Sequence, residues 1–271
     1  MTSSATLRDV TVGEGTDYPF MSPPGLPGVR ARQSTVPRLS GGISFTGADV
    51  GDGGTLPLEV FVDGATSAAV MSLIDEVVAA WSPSDIVEEL ELVLAGQTRV
   101  YRGRPAGAVP DLQWLLEGHL AAVKLDFTVS DYRWYSATPK SVQVTVASMS
   151  GGMDTPMVTP MVTTGSGSTG DVPVTNNGTA PAPWTAFLAG PLTTPRLILG
   201  GKVLTVGGTI AAGSTAVLDS REGSLLVNGA PQPWVTVDSE WWDIPPGQST
   251  LSFRAAAGTG SVLVSWPDAS Y

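Results

Sequence analysis

Cysteine is absent from the 271 residues, and histidine occurs once, at His119. The first absence excludes a disulfide framework and a thiolate metal site. The second excludes a multi-histidine metal site within one chain. Charge is scarce as well: 14% of residues are charged, well below the quarter usual in a soluble domain. A surface so poor in charge suits one largely covered by neighbours, or an extracellular β-rich module. Cations are the scarcer sign, with 14 Lys and Arg against 25 Asp and Glu, for a net charge of −11. Nucleic-acid binding needs cations to displace counterions from phosphates, so sequence-specific recognition of that kind is not expected. No stretch approaches the ~20 apolar residues of a membrane helix. The opening run Met1–Asp9 has neither the basic start nor the apolar core of a signal peptide. The expectation is a soluble protein made in a cytoplasm, with no membrane insertion and no cofactor.

What is present points to folded β structure. Hydrophobic residues make up 42% of the chain, and the length allows two domains, each with its own core. Gly 32 and Pro 22 favour many turns over long helices. The acidic excess is uneven: 17 acids against 9 bases through Ala137, then 8 against 5.

Along the first half, Thr6 to Val12 reads as a short strand, followed by a Gly/Pro-rich loop from Gly13 to Gly28. Gly42 to Phe45 and Leu56 to Val62 read as further strands. Val70, Met71, Ile74, Val77, Val78 and Trp81 recur at spacings of three and four, which places them on one helical face. Thr66 or Ser67 would cap that helix and Ser82-Pro83 would end it, because proline disfavours helical conformation in the residue before it. Glu88 to Leu94 alternates and passes through Ala95-Gly96-Gln97 into a second strand, Thr98 to Arg104. His119 to Ser130 alternates most clearly, with Ala121, Val123, Leu125, Phe127 and Val129 on one face. Residues 1–137 therefore read as a β-barrel or α+β domain with one helix.

Val142 to Val146 follows as a linker strand. Ser148 to Gly170 is nearly all Met, Thr, Gly, Ser and Pro, so 138–170 reads as linker strand and flexible loop, with Met157 to Val162 as an edge segment. From Asp171 to Tyr271, strand-like runs recur about every ten residues: Val172–Thr175, Trp184–Ala189, Arg196–Leu199, Lys202–Val206, Thr209–Ile210, Thr215–Asp219, Ser224–Val227, Ser249–Arg254 and Gly260–Trp266. Asn228-Gly229 marks a tight turn. The pattern is that of an antiparallel β-sandwich. The fold class is mainly β throughout.

Candidate chemistry resolves into structural readings. His119 has no neighbouring Ser, Cys or repeated carboxylate in the sequence to suggest a triad. Gly165–Gly170 spells GxGxxG, but no helix follows whose N-terminus could meet a phosphate. Asp75-Glu76 and Glu88-Glu89-Glu91 lie on polar faces of a helix and a strand and read as solvated, not as an acid/base pair. Arg99, Arg102 and Arg104 read as cross-strand partners of that acidic strand, with an inter-subunit salt bridge as the competitor. Asn177-Gly178-Thr179 spells a glycosylation sequon but reads as a turn. Trp184, Trp234, Trp241, Trp242 and Trp266 crowd the second half. Core packing and interface anchoring are the commoner uses of tryptophan, and sugar stacking is the functional alternative. No catalytic, cofactor-binding or metal-ligating residue is assigned.

Two stretches resemble the distal tail proteins of siphophages, in particular minor tail proteins of phages that infect actinobacteria. Leu125–Ser136 is similar to the family's strand leading into an Asp-Pro-x-Trp-Tyr exit, with Tyr132 where proline is usual. Asn176–Trp184, with Ala189-Gly190-Pro191 and Pro195, resembles the opening of the family's galectin-like C-terminal sandwich. Asp219-Ser220, Val227-Asn228-Gly229, Trp241–Gly247 and Leu263–Trp266 continue the match in order. The resemblance runs from Leu56 onward, and the Met/Thr-rich loop has no counterpart in it. It implies a homohexameric ring at the tail tip, formed by the N-terminal domain, with the galectin-like sandwich projecting outward. The partners it implies are the tail tube protein, the tail-tip hub protein and receptor-binding or fibre proteins. An acidic N-terminal domain also suits a ring lumen that must not hold DNA. The place it implies is the virion tail tip, assembled in the host cytoplasm, with no enzymatic activity. The competing reading is a carbohydrate-binding β-sandwich with an accessory domain and a host surface glycan as ligand. If Trp241-Trp242 lies in a strand, the two rings point to opposite faces. One would then be core and the other would meet a partner, by preference a protein.

Overall fold

Two-residue turns set four of the hairpins. Arg8-Asp9, Ala95-Gly96, Gly200-Gly201 and Asn228-Gly229 each place both central residues at positive φ, between 48° and 87°. That is the type I′ geometry whose twist matches the flanking strands. The reading of Asn228-Gly229 agrees with this. Arg8-Asp9 lacks the glycine that usually marks such a turn, so the run Thr6–Val12 folds back on itself as two strands instead of one.

The computed structural model describes residues 3–26, 30–32, 35–37, 44–46, 50–150 and 166–271. The edge segment read at Met157 to Val162, and Gly42 and Ile43 of the second strand-like run, lie outside them. The chain divides into Met1–Ala137 with Tyr271, and Thr138–Ser270.

In the first unit, β1 (Ser4–Leu7) and β2 (Val10–Gly13) precede four short strands. These are β3 (Arg30–Arg32), β4 (Thr35–Pro37), β5 (Ser44–Thr46) and β6 (Val50–Asp52). Then come β7 (Thr55–Asp63), α1 (Ser67–Ala80), β8 (Glu88–Leu94), β9 (Gln97–Asp111), α2 (Leu115–Gly118), β10 (Leu120–Val129) and β11 (Trp134–Tyr135). The main sheet is antiparallel in the order β2-β1-β8-β9-β10-β7, and β3–β6 form two separate ladders. Alternation decides the core. Leu56, Leu58, Val60 and Val62 of β7 and Ala121, Val123, Leu125, Phe127 and Val129 of β10 are all buried. Helix α1 presses Val70, Ile74, Val77 and Ala80 onto that face, with Trp81 beneath its last turn. The Thr66 hydroxyl accepts from the Ala69 amide at 3.2 Å and caps the first turn. Met71, expected on the buried face, is instead exposed. It lies about 100° round the helix from Val70, at the margin of a narrower apolar stripe. The one-turn α2 is too short to show periodicity and was not expected.

The second unit holds β12 (Lys140–Thr145), β13 (Ser148–Ser150), β14 (Ser166–Ser168), β15 (Asp171–Asn176), β16 (Thr185–Ala189) and β17 (Leu192–Thr193). Next are β18 (Arg196–Leu199), β19 (Lys202–Thr205), β20 (Thr209–Ile210), β21 (Thr215–Asp219), β22 (Ser224–Val227) and β23 (Ala230–Pro231). The unit ends with β24 (Gly247–Arg254), β25 (Ala257–Gly258), β26 (Ser261–Trp266) and β27 (Ala269–Ser270). One sheet runs β12-β26-β16-β21-β22-β23, a second β15-β24-β18-β19, and a small third β20-β17-β25. Ala186, Leu188, Leu218, Val262 and Val264 from the first, and Val174, Leu197, Leu199, Leu251 and Phe253 from the second, form the buried interior of the sandwich. Two departures from expectation concern the connecting segment. β12 is the edge strand of the six-stranded sheet, paired with β26 over its whole length, and so belongs to the sandwich. Ser166–Ser168, inside the presumed flexible loop, pairs with Ser148–Ser150.

Asn176 does what the sequence pattern does not reveal. It is fully buried, and its amide donates to the carbonyls of Ala180 and Ile244 at 2.8 and 3.1 Å. Its oxygen accepts from Gly178 and Ala269. Three chain segments are thereby joined, and four of their backbone groups are satisfied by one side chain. Gly178 of the sequon passes so close that a Cβ would stand 1.7 Å from the Ala269 carbonyl oxygen. That position is a tight crossing of backbones.

Candidate functional site

The tryptophans of the second unit separate by role. Trp184 and Trp266 are buried, and their indole N–H groups donate to the Trp242 carbonyl at 2.7 Å and the Thr175 carbonyl at 3.1 Å. Trp234 lies across Gly208, where a Cβ would come within 2.3 Å of its ring. These three serve the fold. The Trp241-Trp242 pair is different. The segment is irregular until Ile244, where a single bridge to Ala182 fixes it. It is not a strand, yet the two rings still part company: Trp242 is 5% exposed and Trp241 is half-buried. Both pack on Trp184, with ring centres at 4.5 Å for Trp242 and 6.3 Å for Trp241. Aromatic pairs at these separations add about 0.5–1.5 kcal/mol beyond their buried area.

Trp241 and Trp242 line a cleft of about 590 Å³. Its walls come from the β18–β19 turn (Leu199, Gly200, Lys202), from Pro181, Ser220 and Asp243, and from Pro245 and Ser249 at the start of β24. Ser220 is held in place because its oxygen accepts from the Trp184 amide at 2.8 Å. The Trp242 indole N–H is buried and has no hydrogen-bond acceptor among the described residues.

The first unit carries a second candidate, an apolar end. The outer face of β7 and β10 pairs Phe61 with Ala122 and Glu59 with Lys124. With Met21, Asp111, Trp114 and Leu120 these side chains line a smaller cleft of about 390 Å³. Trp114 is 53% exposed and Leu116, on α2 beside it, 85%. Exposed aromatic and aliphatic side chains grouped in this way mark contact surfaces.

The other residues singled out in the sequence fall into place individually. His119 ends α2 in the left-handed conformation, with φ 52°. Contrary to the expectation from sequence, a serine does stand beside it: the Ser67 oxygen lies 3.0 Å from His119 Nδ1. The same hydroxyl donates to the Leu115 carbonyl at 3.1 Å, so its proton is turned away from the imidazole. The pair fastens α2 to the start of α1 and does not activate a nucleophile. Arg102 faces Glu89 across the hairpin, with nitrogen and oxygen 3.6 Å apart, as a cross-strand pair. Arg99 does not share that face. Three residues earlier on the strand, it points to the opposite side and lies over the Trp134 ring at 4.7 Å. Arg104 is exposed. Glu88 forms a two-pronged pair with Arg8 at 2.5 and 2.6 Å, which holds its carboxyl below the usual glutamate range. Glu76 accepts from the Tyr18 hydroxyl at 3.0 Å. The Gly165–Gly170 motif leads into β15, not into a helix.

Asp131 was not singled out as an ionisable site. Burial pushes its pKa up, but hydrogen bonds from Arg133 and Tyr135 and the guanidinium charge outweigh that, and the net shift is downward from 3.8. The carboxylate draws Arg133 back onto it at 3.0 Å and receives the Tyr135 hydroxyl, which fixes the chain as it leaves β10.

Residues 177–268 match the family described as siphovirus-type tail component, C-terminal domain. No curated protein sequence matches the chain. Among solved structures, the fold is similar to the Dit protein of phage SPP1, described as a paradigm of the hub adsorption apparatus in phages infecting Gram-positive hosts. Identity there is 16%, the match covers 99% of each chain, and the TM-score is 0.64. A chain of the phage P2 baseplate, in its activated conformation with calcium, is 10% identical over 98% of this chain and 97% of that one, with a TM-score of 0.55. The corresponding strontium structure gives 11% identity, 97% coverage of both chains and a TM-score of 0.53. The family match bears out the resemblance read from Asn176 onward, and the likeness of fold extends along nearly the whole chain.

Proposed function

We propose that this protein is a distal tail protein of a siphophage, a structural part of the tail tip and not an enzyme. Six copies form a ring through the first unit and join the tail tube protein to the tip hub and to receptor-binding or fibre proteins. The observation that carries the reading is the likeness of fold along nearly the whole chain to a phage hub protein, together with the tail-component match over residues 177–268. The apolar end around Phe61, Trp114 and Leu116 supports it by supplying a surface for the next copy. In a cyclic ring each subunit repeats one head-to-tail contact, so a single patch and its complement suffice. Assembly takes place in the host cytoplasm, and the finished protein resides in the virion.

Native mass spectrometry of the full chain, over a range of concentrations, tests the ring. The expected species has six times the 27.9 kDa chain mass. Replacing Trp114 and Leu116 together by Ser is expected to return the protein to monomers while leaving its circular dichroism unchanged, since both side chains are exposed. A chain that stays monomeric at every concentration sinks the proposal.

A further inference from the structure

We infer that the Trp241–Trp242 cleft of the second unit is a binding site for a neutral saccharide of one to three rings. The inference is independent of the ring, because the cleft is built wholly from Pro181 to Ser249.

The argument starts from what the fold does with its other tryptophans. Trp184, Trp234 and Trp266 are each used by backbone hydrogen bonds or by close packing on glycine. Trp241 is not needed in that way. Ile244 already ties the segment to Ala182, and Trp184 and Trp242 already fill the interior beneath. A half-wet indole lining a concavity is costly to keep unless something covers it.

The shape of the concavity selects the class of ligand. A flat apolar face suits another protein, whereas a cleft of about 590 Å³ lies within the range of small-molecule sites. Its lining combines aromatic rings with polar groups: Ser220 and Ser249 carry hydroxyls, Lys202 donates only, and Asp243 accepts only. A pyranose has the complementary form. One face of weakly positive C–H groups lies against the negative face of an indole, and a rim of hydroxyls both donates and accepts. Lys202 is already paired with Glu240 at 4.0 Å and Asp243 is a carboxylate, so the site has little pull on an anionic ligand. The sequence reading preferred a protein partner for the wet tryptophan; the concave, mixed lining favours the glycan.

The test uses the full chain and a defined set of probes: glucose, galactose, N-acetylglucosamine, lactose and chitobiose, with a proline-rich peptide as the competing class. Calorimetry and saturation-transfer NMR read the binding. At least one saccharide is expected to bind saturably. Trp241→Ala should weaken it about tenfold or more, and Trp241→Phe, which restores an aromatic face, should recover most of the loss. Circular dichroism checks that the variants are folded. If Trp241→Ala unfolds the protein, Lys202→Ala takes its place: the exposed lysine can be removed without touching the core, and saccharide binding should weaken or change its preference among the sugars. The inference is overturned if no sugar binds up to tens of millimolar, if only the peptide binds, or if binding is indifferent to the folded variants. Because none of these readouts depends on subunit count, failure here leaves the ring to be judged by its own mass measurement.

Discussion

Ala95 sits at φ 51° beside Gly96 in the turn that joins β8 to β9. A residue with a Cβ pays about 1–2 kcal/mol in that region, less for asparagine, whose side chain bonds locally. Ala95 is exposed, so Ala95→Asn removes strain and disturbs no contact. A melting temperature a few degrees higher is expected, and an unchanged or lower one would show that the turn is not strained. His119 occupies the same backbone region, and Asn tolerates it equally well. His119→Asn loses the Ser67 hydrogen bond at a cost of about 1 kcal/mol. It is expected to leave the assembled mass unaltered in native mass spectrometry. Asp131 gives a pH dependence. Its folded pKa is depressed, so the stabilisation exists above the unfolded value and is lost as pH falls through the folded one. Glu88 behaves in the same way through Arg8. Melting temperature should therefore drop as pH is lowered from about 5 to below 4, and Asp131→Asn should flatten part of that drop. Equal slopes for the two proteins would show that this carboxylate does not contribute.

Among the elements, α1 is held by packing more than by its ends. Its first turn has no acidic residue and its last turn no basic one; the Thr66 hydroxyl caps the start, and the Ser82 hydroxyl and Arg8 guanidinium donate to the Ala79 carbonyl at 2.8 and 3.3 Å at the end. Thr66→Ala should destabilise the first unit by about 1 kcal/mol and Thr66→Ser by much less, as read from denaturant midpoints. Val77→Ala, which opens a cavity against the sheet, should cost more, about 2 kcal/mol or above. β12 is the element whose place the sequence leaves ambiguous. It lies in the stretch that reads as a linker, yet it covers β26 along the edge of the six-stranded sheet. Lys140 further joins it to the second sheet through the Thr175 carbonyl at 3.0 Å, and to Asp268, just past β26, at 2.7 Å. A fragment 138–271 is expected to be soluble and to melt cooperatively. A fragment 171–271 leaves the edge of β26 bare and should melt lower or aggregate. Equal behaviour of the two fragments would show β12 to be dispensable.

For the molecule as a whole, we propose that the two units fold independently. Each has its own buried interior. Co-expressed fragments 1–150 and 166–271 should stay associated, because β12 in one remains hydrogen-bonded to β26 in the other. Separation of the pieces under native conditions would contradict that pairing. The assembled ring, if formed through Trp114 and Leu116, should also be less sensitive to salt than a charge-driven one, since apolar burial is not screened.

The sequence by itself determined the parts of this protein that are periodic. β7 and β10 are legible because alternation places every second residue on a buried face. α1 is legible because its apolar residues recur every three or four. The nine strand runs of the sandwich fall close to where strands stand, since turns rich in Gly and Asn separate them. The order of small motifs from Asn176 to Trp266 was enough to suggest the family. What only tertiary structure decided lies where partners are distant in sequence. The Arg8-Asp9 reversal carries no glycine to announce it. The split of Arg99 from Arg102 follows from strand parity, which no charge count contains. Ser67 reaches His119 across fifty-two residues, and Asn176 closes a junction with Ile244 and Ala269. The cleft belongs to this second kind. Trp241 and Trp242 are adjacent in the chain, but only the packing of Trp184 beneath them and of the β18–β19 turn beside them leaves one ring buried and the other open. Local patterns fix which face is apolar, whereas concavity is a relation among segments that meet only once the sandwich is closed.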